Sequence, residues 1–111
     1  MLTLESFKAA RSVLQAVLRP TPLIHSPYLS KNCGNSVYLK PENMQATGAY
    51  KLRGAYYKIS TLTQEEKDRG LVTASAGNHA QGVAYAAQAA GVAATIVMPT
   101  TTPLVKVNNT K

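Results

Sequence analysis

The stretch LVTASAGNHAQGVAYAAQAAGVAATIVM, Leu71 to Met98, reads as strand, helix and strand in one uninterrupted run. Leu71 to Ala74 is a short apolar strand, Asn78 to Ala90 an alanine-rich helix closed by Gly91, and Ala94 to Met98 a second buried strand ending at Pro99. Downstream, Thr102 and Pro103 have the character of a cap and first residue of another helix. Upstream, Thr63 followed by Gln64, Glu65 and Glu66 forms a capping box, opening a short helix that Gly70 terminates. Ala49 to Ile59 has apolar positions at helical spacing, and Val37 to Lys40 is a short strand candidate ended by Pro41. Alternation of strand and helix predicts parallel strands joined by right-handed crossovers, hence an α/β fold with an open parallel sheet in three αβα layers. Ligands gather at the carboxyl ends of such strands. That places the Lys40 to Lys51, Ser75 to Asn78 and Pro99 to Thr102 loops at the expected site.

Thr3 can cap an N-terminal helix whose apolar positions Leu4, Phe7, Ala10, Leu14, Val17 and Leu18 fall on or near one face. Pro20 and Pro22 stop it. Residues 20 to 35, with Pro27, Asn32, Gly34 and Asn35, are expected to form an irregular connector. The expected organisation is therefore a helix and connector over 1–35, followed by a partial small α/β domain over 36–111.

The 111 residues, 45% of them hydrophobic and with no low-complexity tract, describe a globular chain. No stretch is apolar for long enough to span a bilayer, and Glu5, Lys8 and Arg11 stand where a secretory signal would have its apolar core. A cytoplasmic or organelle-matrix setting is expected, with no membrane partner. Cys33 is the only cysteine, so no internal disulfide forms; His25 and His79 lack metal-ligand spacing, and no metal site is expected. The net charge of +7 raises the question of nucleic acid. Its basic residues are scattered without a dense run, however, and the tyrosines show no RNA-binding signature, so no nucleic-acid partner is expected.

Two motifs carry chemistry. In KPENMQATGAYKLRGA, Lys40 to Ala55, a turn containing Thr47 and Gly48 delivers Lys51 into the first turn of a helix. There the positive end of the helix dipole and partial burial disfavour an ammonium ion, and a neutral amine is a nucleophile for aldehydes. In SAGNHAQG, Ser75 to Gly82, Gly77 allows a tight strand-to-helix turn whose amides suit a carboxylate or phosphate. The dinucleotide fingerprint, the P-loop and the nucleophile elbow all fail here. Asn78 and His79 follow Gly77, Val83 follows Gly82, and Thr73 stands where the elbow needs glycine.

Together with ATIVMPTTTPLVKV at the C-terminal end and TPL at Thr21 to Leu23, these motifs closely resemble the threonine dehydratases (threonine ammonia-lyases). Those are pyridoxal 5'-phosphate enzymes of the tryptophan-synthase-β type, with serine dehydratases and serine racemase as near relatives. The resemblance runs from about Leu4 to the end of the chain. It implies that Lys51 forms the Schiff base with the cofactor, that Asn78 hydrogen-bonds the cofactor's ring hydroxyl, and that Ser75, Ala76, Gly77, Asn78 and His79 hold the substrate carboxylate. Tyr50 stands where phenylalanine is usual, and an aromatic there can still pack against the cofactor ring. Ala49 replaces the usual serine. The implied reaction is dehydration and deamination of L-threonine or L-serine, by a homo-oligomer when full length.

The family's glycine-rich phosphate loop has no counterpart, because no two glycines are adjacent. The residue facing the pyridine nitrogen and most of a large domain are also expected beyond Lys111. The chain is accordingly expected to be an N-terminal part of the tryptophan-synthase-β-like fold, inactive as an isolated piece. Serine racemase or serine dehydratase activity, and a non-catalytic binding role, are the alternatives.

Overall fold

A computed structural model describes residues 1–111. Helix α1, Leu4–Leu14, starts at Thr3, whose hydroxyl accepts from the Ser6 amide in a reciprocal capping box. Turns follow it to Val17 instead of the expected further helix, so that the chain enters the proline-rich stretch already bent. Leu14 is buried, whereas Leu4 and Phe7 lie exposed on the same helix.

The expected irregular connector is in fact ordered. It contains β1, Ile24–His25, and α2, Pro27–Cys33. Ser26 caps α2 through its hydroxyl, Pro27 occupies the first turn where a missing amide costs nothing, and Gly34 closes it with φ 64°. The candidate strand at 37–40 shortens to β2, Tyr38–Leu39, and does not join the parallel sheet. It pairs antiparallel with β1, Ile24 opposite Leu39 and His25 opposite Tyr38. Ser30 reinforces the pair, its hydroxyl accepting from the Val37 amide at 2.9 Å and meeting His25 Nε2 at 3.1 Å.

Beyond a 3-10 turn at Glu42–Met44 come α3, Lys51–Ser60, and α4, Gln64–Asp68. Thr63 and Glu66 form the expected capping box on α4. Then β3, Leu71–Ala74, leads through a turn to α5, Asn78–Ala90, which Gly91 ends with φ 65°. β4, Ala94–Val97, returns parallel to β3 in the register Leu71 opposite Ala94 to Ala74 opposite Val97, and it is largely exposed where a buried strand was expected, because no third strand and no layer opposite α5 packs on it here. α6, Leu104–Asn108, has Pro103 in the cap position, one residue later than expected. The α/β crossover thus forms as predicted, on a parallel sheet of two strands rather than three.

The core lies between α3 and α5. Ala55 and Ile59 meet Val83, Ala86 and Ala87, with Tyr56, Leu62 and Leu71 packed around them. Small residues on both helices let the backbones come close. Leu52, in the first turn of α3, is completely buried, which is worth about 1.5–3 kcal/mol of apolar transfer.

Candidate functional site

Lys51 is the first residue of α3, as expected, but it is exposed and not partly buried. The preceding turn is tight: the Gly48 amide donates to the Gln45 carbonyl at 2.8 Å, and Gly48 takes φ 66°, a conformation costly for other residues. Ala49 is buried while Tyr50 is 62% exposed, so the turn tucks a small residue inward and leaves the aromatic and the lysine outside.

Two polar anchors hold that turn. Gln45 is buried, and its amide makes a two-pronged contact with one residue, Oε1 accepting from the Arg19 amide at 3.1 Å and Nε2 donating to the Arg19 carbonyl at 3.0 Å. Glu42 receives two bonds from Arg53, Nε to Oε2 at 2.7 Å and Nη2 to Oε1 at 2.8 Å, and a third from the Thr21 hydroxyl at 2.9 Å. The Arg53 hydrogen bonds outweigh the opposing effect of burial and hold the Glu42 carboxyl at about 2 instead of 4.5.

The second motif sits where β3 becomes α5. The Ser75 amide donates to the Val97 carbonyl at 3.0 Å, fixing the strand end to β4, and the Ser75 hydroxyl accepts from the Gly77 amide at 3.3 Å. Asn78 opens α5, with Oδ1 accepting from Lys106 Nζ at 3.5 Å. Lysine can only donate, so the amide oxygen faces Lys106 and Nδ2 remains available as a donor.

What brings the motifs together is Gly82. A Cβ there would lie 3.4 Å from the Leu52 nitrogen and from the Lys51 carbonyl carbon and oxygen. The start of α3 therefore rests on α5 backbone to backbone. Asn78 lies four residues before Gly82 on the same face of α5, about 6 Å along the axis. The backbone of Lys51 is thus set one helical turn from Asn78.

The predicted residues do not all face one space. Asn78 lines a cleft of about 720 Å³ with Thr47, Gly48, Gln81, Tyr85 and Lys106. His79 instead lines a smaller one of about 260 Å³ with Lys58, Leu62 and Val72. Tyr50, Lys51, Ser75, Ala76 and Gly77 line neither. Inside the larger cleft's wall, Gln81 is buried and its Nε2 has no partner. Sequence reasoning did not single out Lys106 or the Glu42–Arg53 pair. Gly82 could not be told from Gly54 by sequence, since both are isolated glycines within helices and only Gly82 meets another backbone.

Comparison with known proteins places these features in one family. Residues 14–111 match the family model described as pyridoxal-phosphate dependent enzyme. A curated relative, the L-threonine ammonia-lyase of Thermotoga maritima, is 54% identical over all of this chain, which covers 28% of that protein. The processed form of threonine deaminase isoform 2 from Solanum lycopersicum superposes with a TM-score of 0.80 at 43% identity, over 99% of this chain and 31% of the other. Serine racemase from Dictyostelium discoideum superposes with a TM-score of 0.90 at 36% identity, over 98% of this chain and 36% of the other. The chain thus spans about a third or less of the length of the proteins it matches. With its crossover, its lysine at a helix start and its matched residues, the chain belongs to the pyridoxal-phosphate-dependent enzyme family.

Proposed function

We propose that Lys51 is the amine that holds pyridoxal 5'-phosphate, and that the whole protein dehydrates and deaminates L-threonine, or L-serine, to 2-oxobutanoate, or pyruvate, and ammonia. The observation that carries this reading is the contact of Lys51 and Leu52 with Gly82, which joins the two motifs at one place. The 54% identity to a threonine ammonia-lyase supports the choice of reaction.

The residues present fit the cofactor. Lys51 offers an exposed amine at a helix start, as attack on an aldehyde requires. Asn78 keeps Nδ2 free to donate to an oxygen on the ring, because its Oδ1 is turned to Lys106. Tyr50 supplies an exposed aromatic face beside the lysine. When bound, pyridoxal phosphate supplies the electron sink that makes an amino acid's α-proton removable.

Each protein group then has a task. Lys51 would hold the cofactor through Nζ, and its amine, once free, would accept the substrate's α-proton. The Ser75–Gly77 turn, with Asn78 and the unpaired amides at the start of α5, that of His79 among them, would receive the substrate carboxylate and so orient the α-carbon toward that amine. The β-hydroxyl would leave as water with the proton that Lys51 accepted, and the released enamine would tautomerise to an imine that water hydrolyses to the 2-oxo acid and ammonia.

The experiment is an amino-acid panel on the cofactor-loaded whole protein, following 2-oxo acid and ammonia. Equimolar 2-oxobutanoate and ammonia from L-threonine are expected. D-serine formed from L-serine without ammonia would favour the racemase reading that the Dictyostelium structure suggests. No product from either amino acid would refute both.

A further inference from the structure

We infer that Glu42 and Arg53 are positioning residues for Lys51, their forked ion pair fixing where the start of α3 stands and hence where the lysine amine leaves the helix. This rests on the reading of Lys51 as the cofactor-holding amine. Its first support is an omission at the helix start: Tyr50 occupies the cap position of α3 and its side chain makes no capping hydrogen bond. Helices α1, α2 and α4 fix their first turns with such a bond, whereas α3, like α5 and α6, does not. Here the constraint comes from outside. Arg53, in the first turn and two residues beyond Lys51, reaches back to Glu42 with two parallel bonds of 2.7 and 2.8 Å.

Glu42 is itself immobilised. Its Oε1 also accepts from the Thr21 hydroxyl at 2.9 Å, and the Thr21 carbonyl accepts from Lys40 Nζ at 3.0 Å. Between the two ends of the pair runs the turn containing Gly48, left-handed at φ 66°. The pair closes this segment into a ring, in which Lys51 stands two residues from the Arg53 end. Exposed ion pairs contribute little, but this one is sheltered, with the Glu42 side chain only 17% exposed, and a fork resists rotation as a single contact does not. A carboxylate beside the first turn also complements the helix dipole.

The test uses the cofactor-loaded protein with Glu42→Gln and Arg53→Lys, which preserve shape or charge but not the charged fork. Glu65→Gln is the control, because the Glu65–Arg69 pair on α4 is widely exposed and 3.7 Å long. Three quantities are read: kcat and KM separately, the rate of borohydride trapping at Lys51 located by peptide mapping, and the unfolding midpoint. The expected result is KM within about twofold of the parent, with kcat and trapping rate at Lys51 both reduced by about tenfold or more. The control should move none of them. Parental kcat and trapping rate with only a lowered midpoint would show that the pair serves stability alone, and a change confined to KM would equally overturn the inference. If the parent protein is not labelled at Lys51, the functional reading falls first, and this inference with it.

Discussion

Replacing Gly82 by alanine and then by valine probes the approach of α3 to α5 that brings the two motifs together. An alanine Cβ would lie 3.4 Å from three backbone atoms of Lys51 and Leu52, at the near edge of ordinary contact. Alanine also gains about 1 kcal/mol of helix propensity over glycine. The two effects oppose, so Gly82→Ala should unfold within about 1 kcal/mol of the parent. Valine adds two carbons about 1.5 Å beyond Cβ. Its restricted rotamers in a helix leave little freedom to turn both away from the α3 backbone. Backbone cannot swing aside as a side chain can, so Gly82→Val should lose a further 1–3 kcal/mol or so to overpacking. It should also displace Lys51, and a shift of about 1 Å in a reacting group can reduce turnover roughly a hundredfold. Urea unfolding of both variants, alongside 2-oxo acid release, reads the two effects together. A valine variant as stable and as active as the alanine variant would refute the close approach, and with it the geometric link between the motifs.

Leu52→Ala removes the fully buried side chain in the first turn of α3 and should cost about 2–5 kcal/mol by denaturant unfolding. Because the Glu42 carboxyl is held at about 2 in the folded chain against 4.5, its contribution should be complete above about 4.5 and lost as pH falls through about 2. The stability difference between the parent and Glu42→Gln should therefore shrink across that window, and a difference that stays constant with pH would contradict the assignment. Asn78→Ala and Ser75→Ala each delete one neutral hydrogen-bonding group and should weaken cofactor or substrate binding by about 0.5–1.5 kcal/mol in direct titration.

The crossover at the centre of the fold was legible because its signals are local. Leu71–Ala74, Asn78–Ala90 and the Thr63 capping box fall where apolar runs, Gly91 and the Thr63–Glu66 spacing put them. α2 was missed although Ser26, Pro27 and Gly34 are a helix start and stop in order. Pro27 and Asn32 are equally turn residues, and over seven residues periodicity has little room to decide between turn and helix. Strand β2 falls within the expected 37–40, but its pairing differs for another reason. Two residues of strand do not encode a partner, and the antiparallel pairing with β1 is a long-range choice made by folding.

The site shows the same division. Lys51 at the start of α3 and the turn before Asn78 follow from neighbouring residues, and both are found there. The anchors that hold the lysine loop join residues distant in sequence, Gln45 with Arg19 and Glu42 with Thr21 and Arg53, and no local pattern marks them. The separation of Asn78 from His79 into different clefts follows from their adjacent positions on a helix, where neighbouring side chains point about 100° apart.

The central claim is that one amine, that of Lys51, takes the cofactor. Borohydride reduction of the whole protein loaded with pyridoxal phosphate, followed by peptide mapping, tests it most directly. The account predicts stoichiometric modification at Lys51 alone, abolished in Lys51→Ala; modification at another lysine, or label spread over the exposed lysines without preference, would contradict it.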